Sequence, residues 1–226
     1  MANLEPLIQS IPVAPLKLAS LEGCRTLADQ VNNYLVSFRH ESPTNVGQAD
    51  SLQGYCADSY LLECECPRFG SGEGKGVLKE SVRGCDLFIM VDVTNYSLTY
   101  RVNGYENHMS PDNHYQDLKR IISAADGKAR RINVIMPFLY EGRQHKRSKR
   151  ESLDCALMLQ ELVDMGVSNI LTFDAHDPRV SNSIPLHGFD SFMPTYQFLK
   201  ALVNSVPDFV IDNDHLMIIS PDEGAM

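Results

Sequence analysis

The sequence predicts an α/β protein, with a parallel sheet of about five strands flanked by helices on both faces. Three observations carry this expectation. Apolar runs short enough for strands alternate with longer stretches of helical period, which is the pattern of strand–helix–strand units. Asp86-Leu-Phe-Ile-Met-Val91 is a strand of buried type, apolar throughout after Asp86. Polar chemistry then sits directly after strand ends, where ligands bind in open α/β sheets.

Taken in order, residues 1–20 carry Pro6, Pro12 and Pro15 and read as an extended lead-in. From Arg25 to Phe38, apolar residues at 27, 28, 31, 34, 35 and 38 follow a helical period. Residues 40–54 are polar, with Pro43, Gly47 and Gly54, and predict a loop. Ser59–Glu63 is a short strand candidate, and 86–91 a strand. Tyr115–Ala125 is a helix, with Leu118, Ile121 and Ile122 on one face. Arg131-Ile-Asn-Val-Ile-Met136 is a strand ending at Pro137. Ser148-Lys-Arg-Glu151 fits a capping box for a helix that runs to Met165 and stops at Gly166. Asn169–Phe173 is the next strand. Pro194–Val203 is a helix with Pro194 near its first turn, and His215–Ile219 a last strand ending at Ser220-Pro221-Asp222.

Composition narrows the function. Apolar residues make up 43% of the 226, enough for a sizeable core, and the formal net charge of −9 argues against a general nucleic-acid binder. The charge is uneven: eight Lys/Arg lie between Lys128 and Arg150, against Glu141 alone. A local basic loop in an acidic chain suits a small polyanion such as a nucleotide phosphate, although a solvated surface loop has the same composition. The six cysteines lack zinc-site spacing and read as reduced, mostly buried thiols of a cytoplasmic protein. No apolar stretch approaches the roughly 18 residues that span a bilayer, so no membrane partner is expected.

Gly70-Ser-Gly-Glu-Gly-Lys-Gly76 has a glycine at every second position. A lysine-bearing phosphate loop needs a further glycine where Phe69 stands, so a hairpin is the better reading. Arg143-Gln144 in the basic loop offers a bidentate phosphate donor beside an amide that can read a base or ribose edge. Asp174-Ala-His176-Asp177 follows a strand directly, and could bind a divalent metal, do acid–base work, or simply turn the chain at Asp177-Pro178. Asp222 is a third polar strand end.

Five segments in order resemble the ribose-phosphate diphosphokinase (phosphoribosyl pyrophosphate synthetase) family. Phe69-Gly-Ser-Gly-Glu73 is similar to its F-S-D-G-E loop, and Glu80–Met90 to its E-N-V-R-G-x-D-I-F-I-I strand. Val134–Gln144 is similar to its nucleotide loop ending in Arg-Gln, Ile170–His176 to its strand ending in D-L-H, and Ser220–Gly224 to its S-P-D-x-G-G. The resemblance implies a phosphoribosyltransferase-like fold and transfer of diphosphate from ATP to ribose 5-phosphate, giving phosphoribosyl diphosphate for nucleotide biosynthesis. It implies that Arg143 and Gln144 hold ATP and that Phe69 and Glu73 reach its adenine and ribose side. It further implies that His176, the catalytic candidate, binds Mg²⁺ together with Asp222, and that the chain forms a homo-oligomer, a hexamer built on dimers.

Departures from the family pattern accompany the match. Ser71 stands for the loop Asp, and Ser148 for an acidic residue after Arg-Gln. Neither the family's catalytic flexible loop nor its acidic sugar-phosphate loop is found. The chain therefore reads as a nucleotide-binding domain over 1–192 and the start of a truncated second domain over 193–226, incomplete for turnover by itself. Two alternatives stay open: a non-catalytic regulatory subunit of the same fold, and a metal-dependent phosphohydrolase built on Asp174, His176 and Asp177.

Overall fold

The computed structural model describes residues 14–41, 54–207, 209–212 and 214–220. The chain divides into two compact units, 1–192 and 193–226. The first contains β1 (Leu16–Ser20), α1 (Arg25–Glu41), β2 (Leu61–Leu62), β3 (Cys64–Glu65) and β4 (Val77–Leu78). These are followed by β5 (Asp86–Met90), β6 (Thr99–Val102), β7 (Tyr105–His108) and α2 (Pro111–Ala124). Then come β8 (Arg131–Ile135), α3 (Asp154–Asp164), β9 (Val167–Phe173) and β10 (Gly188–Phe192). Six strands form one sheet in the order β10-β9-β8-β5-β1-β2, every pairing parallel.

Strand alternation sorts the core onto the two faces. Ala19, Leu87, Ile89, Val134 and Ile170 face Leu118, Ile121 and Ile122 of α2 and Cys155, Met158, Leu159 and Leu162 of α3. Leu18 and Met90 point the other way, onto Ala28 and Val31 of α1. A polar ladder shares the α1 face. Asp86 accepts from Arg131 Nε (2.9 Å) and Asn133 Nδ2 (2.7 Å), and Asn133 Oδ1 accepts from Asn169 Nδ2 (2.6 Å). The ladder ends at Gly188, where a Cβ would stand 2.1 Å from Asn169 Oδ1.

Several expectations are corrected. Residues 16–20, read as lead-in, are an interior strand, because pairing on both sides holds a segment whose apolar pattern Lys17 and Ser20 interrupt. Ser148 and Glu151 contact each other but cap nothing: α3 begins at Asp154 behind Leu153, which has no side-chain cap. The 99–108 hairpin turns at Asn103-Gly104, both with positive φ (50° and 86°), the two-residue turn that Asn-Gly favours. In the second unit, α4 (Thr195–Ser205) forms at Pro194 as expected, but 215–219 is not a strand; a strand needs a partner, and the unit has no other strand among its described residues.

The alternate glycines acquire reasons. Arg68 pairs with Gly74 across a tight hairpin, with Phe69 N–H donating to Glu73 O (2.7 Å). A Cβ on Gly76 would stand 2.4 Å from the backbone oxygen of Arg120 in α2, whereas one on Gly70 would meet nothing within 4 Å. Beneath the hairpin, Asp117 is buried between Arg68 (2.7 Å) and Arg120 (2.5 Å). Among the described residues no helix is long and apolar enough to cross a membrane.

Gly76→Ala should lower stability by about 1–3 kcal/mol in urea denaturation, because backbone must move, while Gly70→Ala should stay within about 0.5 kcal/mol. Burial pushes the thiols of Cys64 and Cys155 up to about 11 and those of Cys24 and Cys66 up to about 12. The native state therefore keeps protons that the unfolded chain releases near pH 9. Stability from this source is full below pH 9 and falls as pH rises towards 12, and at pH 8 these four thiols should alkylate at least tenfold more slowly in the native chain than in urea.

Candidate functional site at the carboxyl edge of the sheet

Parallel pairing brings the carboxyl ends of β1, β5, β8 and β9 to one edge. The strand order reverses at β1, which has β2 on one side and β5 on the other. Such switch points open a crevice beyond the strand ends. Here a cavity of 440 Å³ lies between Thr26, Leu27 and Gln30 of α1 and Asp92, Thr94 and Phe138 on the loops after β5 and β8. Asp92 turns back on its own loop and accepts from Thr94 N–H (2.9 Å) and Oγ1–H (2.7 Å).

The loop after β8 carries the basic run. Its base is a tight turn: Gly142 N–H donates to Leu139 O (3.0 Å), and Glu141 takes a left-handed φ of 55°. Two tyrosines clamp the turn. Tyr140 stacks on Tyr115 of α2 at 4.6 Å and donates its hydroxyl to Asp112 (2.6 Å). Tyr115 donates to Glu161 of α3 (2.7 Å), so both helices hold the loop. Burial, with Asp154 and Asp112 nearby, raises the Glu141 carboxyl, and Arg143 opposes that shift. Beyond the turn, Gln144 spends its side-chain amide on Ser152 O (2.7 Å). Arg143, Lys146, Arg147, Lys149 and Arg150 are exposed, and none forms an ion pair among the described residues.

The loop after β9 meets this one. Asp174 adopts φ 44°, which ends the strand's alternation, so Asp174 and His176 do not continue it. His176 is exposed and lies beside His145, ring centroids 5.0 Å apart. His145 Nε2 is 3.6 Å from Asp177 Oδ2. Asp177 in turn accepts from Arg179 Nη2 (2.6 Å) and Nε (2.9 Å), and these bonds hold its carboxyl well below the usual range. Of the two carboxylates on which the phosphohydrolase reading rests, Asp177 is engaged by Arg179, whereas Asp174 is exposed.

Of the residues the sequence singled out, Arg143, Gln144 and His176 are brought onto two adjoining loops. Phe69 and Glu73 sit on the 68–74 hairpin, which no hydrogen bond, ion pair or ring contact joins to those loops among the described residues; Glu73 accepts from Ser71 (2.8 Å) and Phe69 is exposed. Asp222 lies outside the described residues. Sequence reading passed over His145 and Tyr140. His145 follows Arg143-Gln144 directly, but a count of formal charge omits a neutral imidazole.

Known proteins share this fold. A family described as the N-terminal domain of ribose phosphate pyrophosphokinase matches residues 16–166. The ribose-phosphate pyrophosphokinase of Staphylococcus epidermidis is 27% identical over 170 residues, 74% of this chain and 47% of that protein. That of Corynebacterium ammoniagenes is 26% identical over 217 residues, 93% of this chain and 54% of that protein. The crystal structure of phosphoribosylpyrophosphate synthetase from Mycobacterium smegmatis superposes with a TM-score of 0.61 at 21% identity, over 84% of this chain and 52% of that one. At that identity the likeness speaks for the fold, the phosphoribosyltransferase-like one. The chain spans about half the length of these relatives. With two thirds of its length matched by the domain profile, the chain belongs to the family of the ribose phosphate pyrophosphokinase N-terminal domain.

Proposed function

We propose that this chain binds the nucleotide of a ribose-phosphate diphosphokinase, an enzyme moving diphosphate from ATP to ribose 5-phosphate in the cytoplasm. The observation that carries the reading is the exposed basic loop, five cations without ion-pair partners among the described residues, lying against His176 at the carboxyl edge. Exposed cations of one sign concentrate an anion and neutralise the charge on its oxygens. Arg143 grips the phosphates through its planar guanidinium, and Gln144, anchored to Ser152, sets that grip in place. Tyr140 and Tyr115 keep the loop at a fixed height above the sheet. Phe69 and Glu73 stand apart from this site within the chain, so their role toward the adenine and ribose belongs to an assembly in which a neighbouring copy supplies them. That makes a homo-oligomer part of the proposal.

A divalent cation belongs to the same reading, with Mg²⁺ as the ion the family relation suggests. The exposed His176 imidazole, whose ring nitrogens have no hydrogen-bond partner among the described residues, is a competent ligand; Asp222, which the resemblance implies as a second, lies outside the described residues. When bound, the ion would neutralise phosphate charge. His176 stands exposed beyond the strand end, and Arg143 orients the phosphate chain for in-line attack.

Arg143→Ala should weaken binding of a non-hydrolysable ATP analogue by about 1.5–3 kcal/mol in calorimetric titration, the size of a charge-assisted hydrogen bond. Unchanged affinity in a folded variant would remove Arg143 from the site. Tyr140→Phe keeps the stack and loses the bond to Asp112. A reduction of analogue affinity by roughly twofold to tenfold is expected, equivalent to about 0.5–1.5 kcal/mol, with the helical content unchanged by circular dichroism.

A further inference from the structure

We propose that the 99–108 hairpin is a buttress for the 68–74 hairpin, with Tyr100 and Val102 as positioning residues that aim Phe69 and Glu73 at the adenine and ribose of a nucleotide. The inference rests on the reading above in which Phe69 and Glu73 serve the nucleotide held by a neighbouring copy.

The 68–74 hairpin needs outside support. A lone two-stranded hairpin is marginal in water, and glycine loses more conformational freedom on folding than any other residue. Gly70, Gly72 and Gly74 make up three of its seven residues. Its own bonds, Phe69 N–H to Glu73 O (2.7 Å) and Gly72 N–H to Phe69 O (2.8 Å), close the turn without aiming it. At the base, Arg68 is fixed by the buried Asp117 of α2 (2.7 Å).

Nearer the tip, the support comes from the 99–108 hairpin. Asn103 N–H donates to Gly70 O (3.2 Å), joining the two turns. Gly72 lies so close that a Cβ on it would stand 2.9 Å from Val102 Cγ2 and 3.8 Å from Tyr100 Cε2. The Arg68 guanidinium sits over the Tyr100 ring, 5.2 Å from its centre, where the ring face attracts a cation. The braced residues 68, 70 and 72 alternate with Phe69, Ser71 and Glu73, all three exposed.

The buttress is itself held, and it is rooted at the candidate site. Thr99 Oγ1 donates to Glu106 across its strands (2.8 Å), and Tyr96 stacks on His108 at its base (4.3 Å). It grows from the loop after β5, whose Asp92 and Thr94 line the crevice. There Asn95 Oδ1 accepts from Ser97 N–H (3.1 Å) and Leu98 N–H (3.2 Å), and Asn95 O accepts from Nε2 of the buried His114 (2.6 Å). One continuous segment, 92–108, therefore ties the crevice of one copy to the hairpin that it offers to the next.

The test is calorimetric titration of the full chain with β,γ-methylene ATP and, in parallel, with inorganic tripolyphosphate, both with Mg²⁺, alongside hydrogen exchange of the 69–74 amides. Tripolyphosphate has no base or ribose for Phe69 and Glu73 to meet. Phe69→Ala should weaken the ATP analogue by about tenfold, the size of one base–aromatic stack, and leave tripolyphosphate unchanged. Tyr100→Ala should weaken the analogue by about five- to tenfold, keep tripolyphosphate within about twofold, and speed exchange at 69–74. Tyr100→Phe keeps the ring over Arg68 and should match the parent chain. Should Tyr100→Ala fail to fold, Val102→Ala gives the same readout. If Phe69→Ala weakens the analogue and the Tyr100 and Val102 variants do not, the buttress is overturned and the role of Phe69 stands. Faster exchange with unchanged analogue affinity, or equal losses for both ligands, would also overturn it. If Phe69→Ala leaves the analogue's affinity unchanged, the adenine reading falls and the buttress with it.

Discussion

The polar ladder running from Asp86 through Arg131 and Asn133 to Asn169 is the constraint on which the other features depend. Parallel strands with apolar side chains on both faces tolerate slippage, because one Ile packs much like the next. A buried carboxylate and two buried or half-buried amides do not, since a slipped register would leave each without a partner in a low-dielectric interior. Buried polar groups of this kind add less to stability than to uniqueness. Here the uniqueness is positional. Fixing Asp86 against Arg131 and Asn133 against Asn169 fixes where β5, β8 and β9 end, and so where their loops begin. Gly188 is the ladder's last rung, leaving room for the Asn169 amide.

The loops then need little more than local geometry. The turn at 139–142 and the left-handed Asp174 are sparsely populated conformations held by their surroundings. Around the first turn, the Tyr115–Tyr140 stack joins two helices to one loop. The result is a divided surface. The acidic residues Asp112, Glu141 and Asp154 gather at the base beside Tyr140, and the basic residues project from the rim.

Much of the fold was legible because apolar period and turn residues act locally. The 86–90 and 167–173 strands and the α2 and α3 helices lie close to where those signals put them. What escaped were features that exist only through pairing. The 16–20 strand is interrupted by Lys17 and Ser20, and β10 carries Gly188 and Asp190 that a strand pattern would not choose. The Ser148–Glu151 spacing met the pattern of a capping box without a helix start between the two, since Leu153 begins the helix instead. That Arg143 and His176 lie on loops after strands was readable from the sequence. The neighbour that gives His176 its chemical setting was not, because 31 residues separate His145 from it in sequence.

The strand order also sets a timetable for synthesis. β1 lies one strand in from the edge of the sheet, yet its partner β5 begins about 70 residues later in the chain. At a ribosomal pace of roughly 5–20 residues per second, the β1 edge that takes β5 waits on the order of 4–14 seconds, longer than the edge that takes β2. The pairings on the other flank close over progressively shorter separations, β5 with β8, β8 with β9 and β9 with β10. The last-made part of the sheet can therefore assemble quickly once β5 has joined β1, and the nascent chain is most exposed to aggregation before that step.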